Sequence, residues 1–201
     1  MKYGLWVLIA FFSLSVQAVT LPELQQRFSQ QPVLRAEFEQ QRSISGMTKP
    51  LKSSGELLIS QQKGLWWAQQ KPFPLTLLLD DKRMVQTLAG QPPQVVTADN
   101  NPQMFQFNHL LTALFHADSQ ALDQNFALQF SDLGKSQWRL VLTPKTTPLD
   151  KLFKRITLNG AQFLETIDID DMQSDATHIR FFNQRTAPQT LTAEEQQRFA
   201  S

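Results

Sequence analysis

The sequence predicts a mainly β domain with a few helices, an antiparallel sheet large enough to curl or close. Three observations point there. Short stretches of period-two hydrophobic alternation recur along most of the chain. Turn-forming residues separate them at short intervals. Helical spacing of apolar residues shows in only two places, near the start and near the middle. Consecutive strands joined by short turns make an antiparallel meander, and a sheet of that many strands curls rather than staying flat.

The first residues stand apart. Lys2 gives a positive start, Leu5 to Val16 is an apolar run broken only by Ser13 and Ser15, and Val16-Gln17-Ala18 offers small residues before a cut. This pattern predicts a secretory signal peptide over residues 1–18, cleaved after Ala18 and directing the chain to the periplasm. The alternative, an uncleaved anchor, asks for a longer apolar run. Residues 19–201 then form a single domain, long enough for an ordinary apolar core.

Composition narrows the function. The 201 residues carry 19 Lys and Arg against 18 Asp and Glu, with no long block of either sign. That balance leaves no electrostatic footprint for nucleic acid. There is no cysteine, so neither disulfides nor a lipid-modified N-terminal cysteine are available.

The elements follow in order. Thr20 caps a helix with Pro22 in its first turn and Leu21, Leu24 and Phe28 on one face. Leu34, Ala36 and Phe38 then alternate with Arg35, Glu37 and Glu39, a strand with one wet face. Further strands are expected at Ser54 to Ser60, Leu65 to Gln70, Leu75 to Leu79, Arg83 to Leu88 and, more briefly, Gln94 to Thr97. Asn101-Pro102 opens a helix carrying Met104, Phe107, Leu111, Leu114 and Phe115 at helical spacing, and Ala117 to Asp123 forms a short second one. Five strands complete the domain, at Phe126 to Phe130, Trp138 to Thr143, Phe153 to Leu158, Phe163 to Asp170 and Thr177 to Phe182. Thr192 and Glu195 have capping-box spacing ahead of a short polar helix.

Catalytic patterns are weak. His109 and His116 lack the spacing of a zinc pair and read as solvated or capped side chains. Gly134-Lys135-Ser136 has no upstream phosphate-loop glycine and reads as a turn. Asp168, Asp170, Asp171 and Asp175 lack the glycine and glutamate of a calcium loop and read as the wet side of a strand running into a turn. The sequence points to no enzyme and asks for no cofactor and no metal.

Several short motifs occur in a telling order. They are Ala36-Glu37-Phe38-Glu39-Gln40, Ser54-Gly55-Glu56-Leu57-Leu58-Ile59, Leu65-Trp66-Trp67, Lys71-Pro72-Phe73-Pro74 and Leu140-Val141-Leu142-Thr143-Pro144-Lys145. This succession resembles the LolA family of periplasmic outer-membrane lipoprotein carriers. The chain departs from that family where Gln61-Gln62 replaces Arg-Pro, the family's lid arginine, and where Asp80-Asp81-Lys82 replaces an Asp-Gly turn. It therefore looks like a divergent member.

The resemblance implies a half-open, incomplete antiparallel β-barrel covered by helices. It also implies a carrier that takes acyl chains of lipoproteins, or another apolar lipid-like cargo, and hands them towards the outer membrane. Its partners would be that cargo and membrane-associated donor and acceptor proteins, with the carrier itself a monomer. If Trp67 faces inward, strand alternation puts Leu65 beside it, with Leu57 and Ile59 on the preceding strand and Leu34 and Phe38 on the first. Met104, Phe107 and Leu111 would cover the mouth. These nine residues are the expected cargo contacts, although an apolar strand face serves equally well as plain core. The other reading is a non-catalytic periplasmic module that binds a partner protein through a surface or sheet edge.

N-terminal sequencing of the secreted protein should give Val19 as its first residue. Membrane-bound protein starting at Met1 would contradict the signal-peptide assignment.

Overall fold

Alternation cuts the chain into eleven strands, and pairing joins them into a single antiparallel sheet. The computed structural model describes residues 18–101, 109–110 and 112–200. Residues 1–17, most of the expected signal peptide, and the expected contacts Met104, Phe107 and Leu111 lie outside the described residues.

Helix α1 (Leu21–Ser29) begins at a complete capping box between Thr20 and Glu23, with Pro22 in the first turn. It leads into a six-stranded meander: β1 (Val33–Ser43), β2 (Leu51–Ser60), β3 (Gly64–Lys71), β4 (Leu75–Leu79), β5 (Arg83–Leu88) and β6 (Gln94–Thr97). A helical insertion follows, with α2 described at residues 109–110 and 112–116 and α3 at Ser119–Asp123. The second meander runs through β7 (Phe126–Gly134), β8 (Gln137–Pro144), β9 (Phe153–Gly160), β10 (Leu164–Asp171) and β11 (Ala176–Arg185). The short helix α4 (Leu149–Leu152) interrupts it between β8 and β9. Helix α5 (Ala193–Arg198) closes the chain on a second capping box, between Thr192 and Glu195.

The two meanders meet along β1 and β11, so the strand order is β6-β5-β4-β3-β2-β1-β11-β10-β9-β8-β7. The sheet remains open, with β6 and β7 at its edges. The sequence anticipated this order of six strands, helical insertion, five strands and tail; α4 was not anticipated.

One sheet face carries the main core. Phe38, Leu57, Ile59, Leu65, Leu79 and Met84 of the first meander are buried with Leu140, Leu158 and Phe181 of the second. Leu24 and Phe28 of α1, Ala113 to Phe115 of α2 and Leu122 of α3 cover them. The registers explain the shared face, because Leu57 pairs with Trp67 and Ile59 with Leu65, which in turn pairs with Leu79. Gly55, opposite Phe38 in the register, has no room for a side chain: a Cβ there would collide with the carbonyl of Ala68.

The opposite face was expected to be wet around Arg35, and it is not. Arg35 is only 7% exposed, and Val33, Leu58, Ser60, Leu78 and Val85 are also buried there. The C-terminal segment covers this side. The Arg35 guanidinium donates to both carboxylate oxygens of Glu195, from Nε at 2.5 Å and Nη2 at 2.7 Å. It also donates to the carbonyls of Pro188 and Thr190. Beyond Glu195, the Arg198 guanidinium lies 4.4 Å from the centre of the Trp66 ring. The tail helix, read as merely polar, is thus a strap across β1 to β3. A second correction concerns Asp175, which is buried rather than wet, accepting hydrogen bonds from the Ser45 amide and from Arg42.

The hydrogen bond from Arg35 holds the Glu195 carboxyl at about 2, below the ordinary carboxylate range, against the opposing effect of burial. Its contribution is therefore complete above the unfolded-state value of about 4.3 and disappears as pH falls towards the folded value. Replacing Glu195→Gln leaves Arg35 buried beside a neutral partner and should lower unfolding stability by about 3 kcal/mol near neutral pH. In urea titrations the wild type should lose this advantage progressively below about pH 5, while the variant shows a flatter decline. Equal stability of the two proteins at neutral pH would contradict the strap.

Candidate functional site: the covered face of the sheet

The helices are held over the apolar face by a small set of polar contacts. Phe28 of α1 packs edge-on against Trp138, with ring centres 6.1 Å apart. The Trp138 indole N–H and the Arg27 guanidinium both donate to the carbonyl of Ala161. At the end of α1, the Gln61 side-chain amide donates to the carbonyl of Ser29 at 2.7 Å and, at 3.4 Å, to that of Phe28. A helix leaves its last carbonyls without internal partners, so this amide closes the C-terminus of α1. The residue that replaces the expected lid arginine thus still ties α1 to the turn between β2 and β3, and does so without charge. Helix α1 also meets α3 through the Ser119 hydroxyl, which donates to the side-chain oxygen of Gln25 at 2.9 Å.

The expected contact residues fall into three groups. Phe38 and Leu65 are closed core, at 1% and 2% exposure. Trp67 is half-buried, with its ring centre 3.8 Å from that of Phe38, and it meets Phe181 edge-on. Leu34, Leu57 and Ile59 line a small void together with Phe28, Phe115 and His116. That void measures about 30 Å³, the volume share of roughly one water molecule. The six described residues therefore share one face, but in this closed arrangement they enclose no chamber of acyl-chain size.

His116 departs from the solvated reading. It is partly buried on the wall of the small void, and its Nε2 has no hydrogen-bond partner among the described residues. Desolvation lowers its pKa and favours the uncharged imidazole, against an opposing pull from the Asp118 carboxylate.

A larger cavity of about 840 Å³ lies elsewhere, within the usual range for ligand sites. Leu110 and Ala113 of α2, Ala121 of α3, Leu149 and Leu152 of α4 and Phe153 of β9 supply its apolar wall. The sequence predicts no such cavity because its wall joins the helical insertion, α2 and α3, to α4, which lies beyond two intervening strands. The only signal available was the apolar spacing of α2 itself.

Among the described residues no group of three or more His, Asp or Glu side chains is placed to hold a metal ion. No described helix is long and apolar enough to cross a membrane.

Comparison with known proteins adds the family. Solved structures with a similar fold include a LolA superfamily protein from Nitrosomonas europaea, 8% identical, with 88% of this chain and 97% of that one covered and a TM-score of 0.47. A DUF1329 family protein from Desulfovibrio piger is 12% identical, with 86% and 93% covered and a TM-score of 0.47. No match was found among curated proteins. The family model described as outer membrane lipoprotein carrier protein LolA-like matches residues 13–194, nearly the whole length. The chain belongs to this LolA-like family.

Proposed function

We propose that the protein is a non-catalytic periplasmic carrier. In this reading it takes up acyl chains of lipoproteins or a comparable apolar cargo beneath its helices and passes them towards the outer membrane. One observation carries the reading. An apolar sheet face spanning both meanders is covered by helices on polar ties, of which the Gln61 amide on the end of α1 is the plainest.

The expected cargo contacts Leu34, Phe38, Leu57, Ile59, Leu65 and Trp67 are the surface such a movement would bare. On the same reading the helix bearing Met104, Phe107 and Leu111 belongs to the cover. Each methylene moved out of water is worth about 0.8 kcal/mol, so a chain of roughly sixteen carbons gains on the order of 12 kcal/mol. Returning α1 and α2 to the sheet reclaims apolar burial that the cargo displaced, which offsets part of that gain and permits release. Membrane-associated donor and acceptor proteins would complete the route.

Binding of a fluorescent monoacylglycerol tests the proposal. The wild type should bind it. Leu34→Glu places a charge on the half-buried wall of the small void and should weaken binding at least about tenfold while the protein stays folded. Gln61→Ala frees the end of α1 and should accelerate probe uptake several-fold, with a stability loss of about 1 kcal/mol. A folded wild-type protein that binds no acyl probe would overturn the carrier and favour the protein-interaction reading.

A further inference from the structure

The larger cavity has a chemical character that the apolar sheet face lacks. Gln124, Asn125, Thr146 and Thr147 put amides and hydroxyls on its wall. These groups are built together. The Thr146 hydroxyl donates to the side-chain oxygen of Asn125 at 3.0 Å, and the Lys145 amide donates to the Asn125 carbonyl at 2.9 Å. The end of α3 is thereby stapled to the turn that leads into α4. That side-chain bond engages the Asn125 oxygen and not its N–H donors.

Charge is missing from this polar wall. Among the described lining residues there is no Lys, Arg, Asp or Glu. The two lysines that flank the turn are each met by a carboxylate at 3.6 Å, Lys145 by Asp123 and Lys151 by Asp150. Asp150 follows Leu149 of the cavity wall, and its Oδ1 is buried with no hydrogen-bond partner among the described residues. An anionic head entering here would meet no Lys or Arg among the described wall residues. Removing a carboxylate or phosphate from water without a paired cation is costly. An ester or amide carbonyl brings no such cost and accepts hydrogen bonds from amide and hydroxyl donors.

From this we infer that the cavity between α2, α3 and α4 takes the uncharged ester or amide end of an acyl chain whose tail lies beneath the helices, and discriminates against free fatty acids and phosphate-headed lipids. The inference rests on the carrier reading and adds selectivity to it.

Calorimetric titration with matched lauroyl probes tests it. The probes are monolauroylglycerol, a lauroyl peptide amide, laurate and lauroyl lysophosphatidylglycerol. The assay is run at about pH 8, well above the ordinary carboxylate range, so that laurate carries its charge. The two uncharged probes should bind about tenfold more tightly than the two anions. Whichever of the two is tighter then distinguishes a glyceride from an acylated polypeptide as the source. Gln124→Lys, at an exposed position on the rim, should raise laurate affinity about threefold relative to that for monolauroylglycerol. Laurate binding as tightly as the uncharged probes, or an unaltered preference in Gln124→Lys, overturns the selectivity while leaving the carrier intact. Failure of every probe to bind overturns the carrier reading itself.

Discussion

The pairing of β1 with β11 is the constraint on which the rest of the structure depends. Each meander is local, made of neighbours in sequence joined by short turns. Among the described strands this pairing alone joins the two, with Phe38 opposite Phe181 and Gln40 opposite Ile179. A bulge between Arg35 and Glu37 breaks the register. Arg35 sits at this break and turns to the side away from the main core, where Glu195 and two tail carbonyls receive it. The seam is thus fixed twice, by strand pairing and by a strap behind it. Trp67 meets Phe38 on one side of the seam and Phe181 on the other, so the covered face is continuous across the joint.

A carrier has to reconcile two demands, a rigid binding face and a cover that leaves it. The division of interactions here matches those demands. The sheet is held by eleven strands of backbone pairing and by the buried Arg35–Glu195 bridge on its far side. The described cover is held by apolar contact and by a few hydrogen bonds, from Gln61 to the end of α1, from Arg27 of α1 to the carbonyl of Ala161 and from Ser119 of α3 to Gln25 of α1. Such a bond contributes about 1 kcal/mol net, or about 1.5 to 3 kcal/mol where the donor is charged, whereas breaking one partner of a buried ion pair costs about 3 to 5 kcal/mol. Movement should therefore begin at the helices and spare the seam. The unpartnered His116 nitrogen under the cover adds a small cost to the closed state, since a buried polar atom without a partner is unfavourable.

The strands were legible because alternation has a period of two and the turns between them carry their own chemistry. Leu34, Ala36 and Phe38 announce a face, and nothing distant is needed to read it. The Thr192–Glu195 capping box was legible for the same reason, being complete within four residues. What the sequence withheld depends on long-range partners. Arg35 and Glu195 are 160 positions apart, and each alone looks like an ordinary wet-face charge. The larger cavity is assembled from α2, α3 and α4, and α4 spans only Leu149–Leu152, too short to leave a periodic signal. The depth of burial was equally hidden: alternation places Leu65 on the correct face without telling an open surface from a closed core. Family resemblance supplied the half-open barrel, which the open edges at β6 and β7 display.

Hydrogen–deuterium exchange with and without monolauroylglycerol tests most directly whether cargo enters by displacing the helices. Peptides covering α1 (Leu21–Ser29) and residues 109–116 should exchange faster in the complex, while amides along the β1–β11 seam keep their protection. Tight binding with unchanged protection in both helical segments would contradict the account, because the cargo would then have seated without moving the cover.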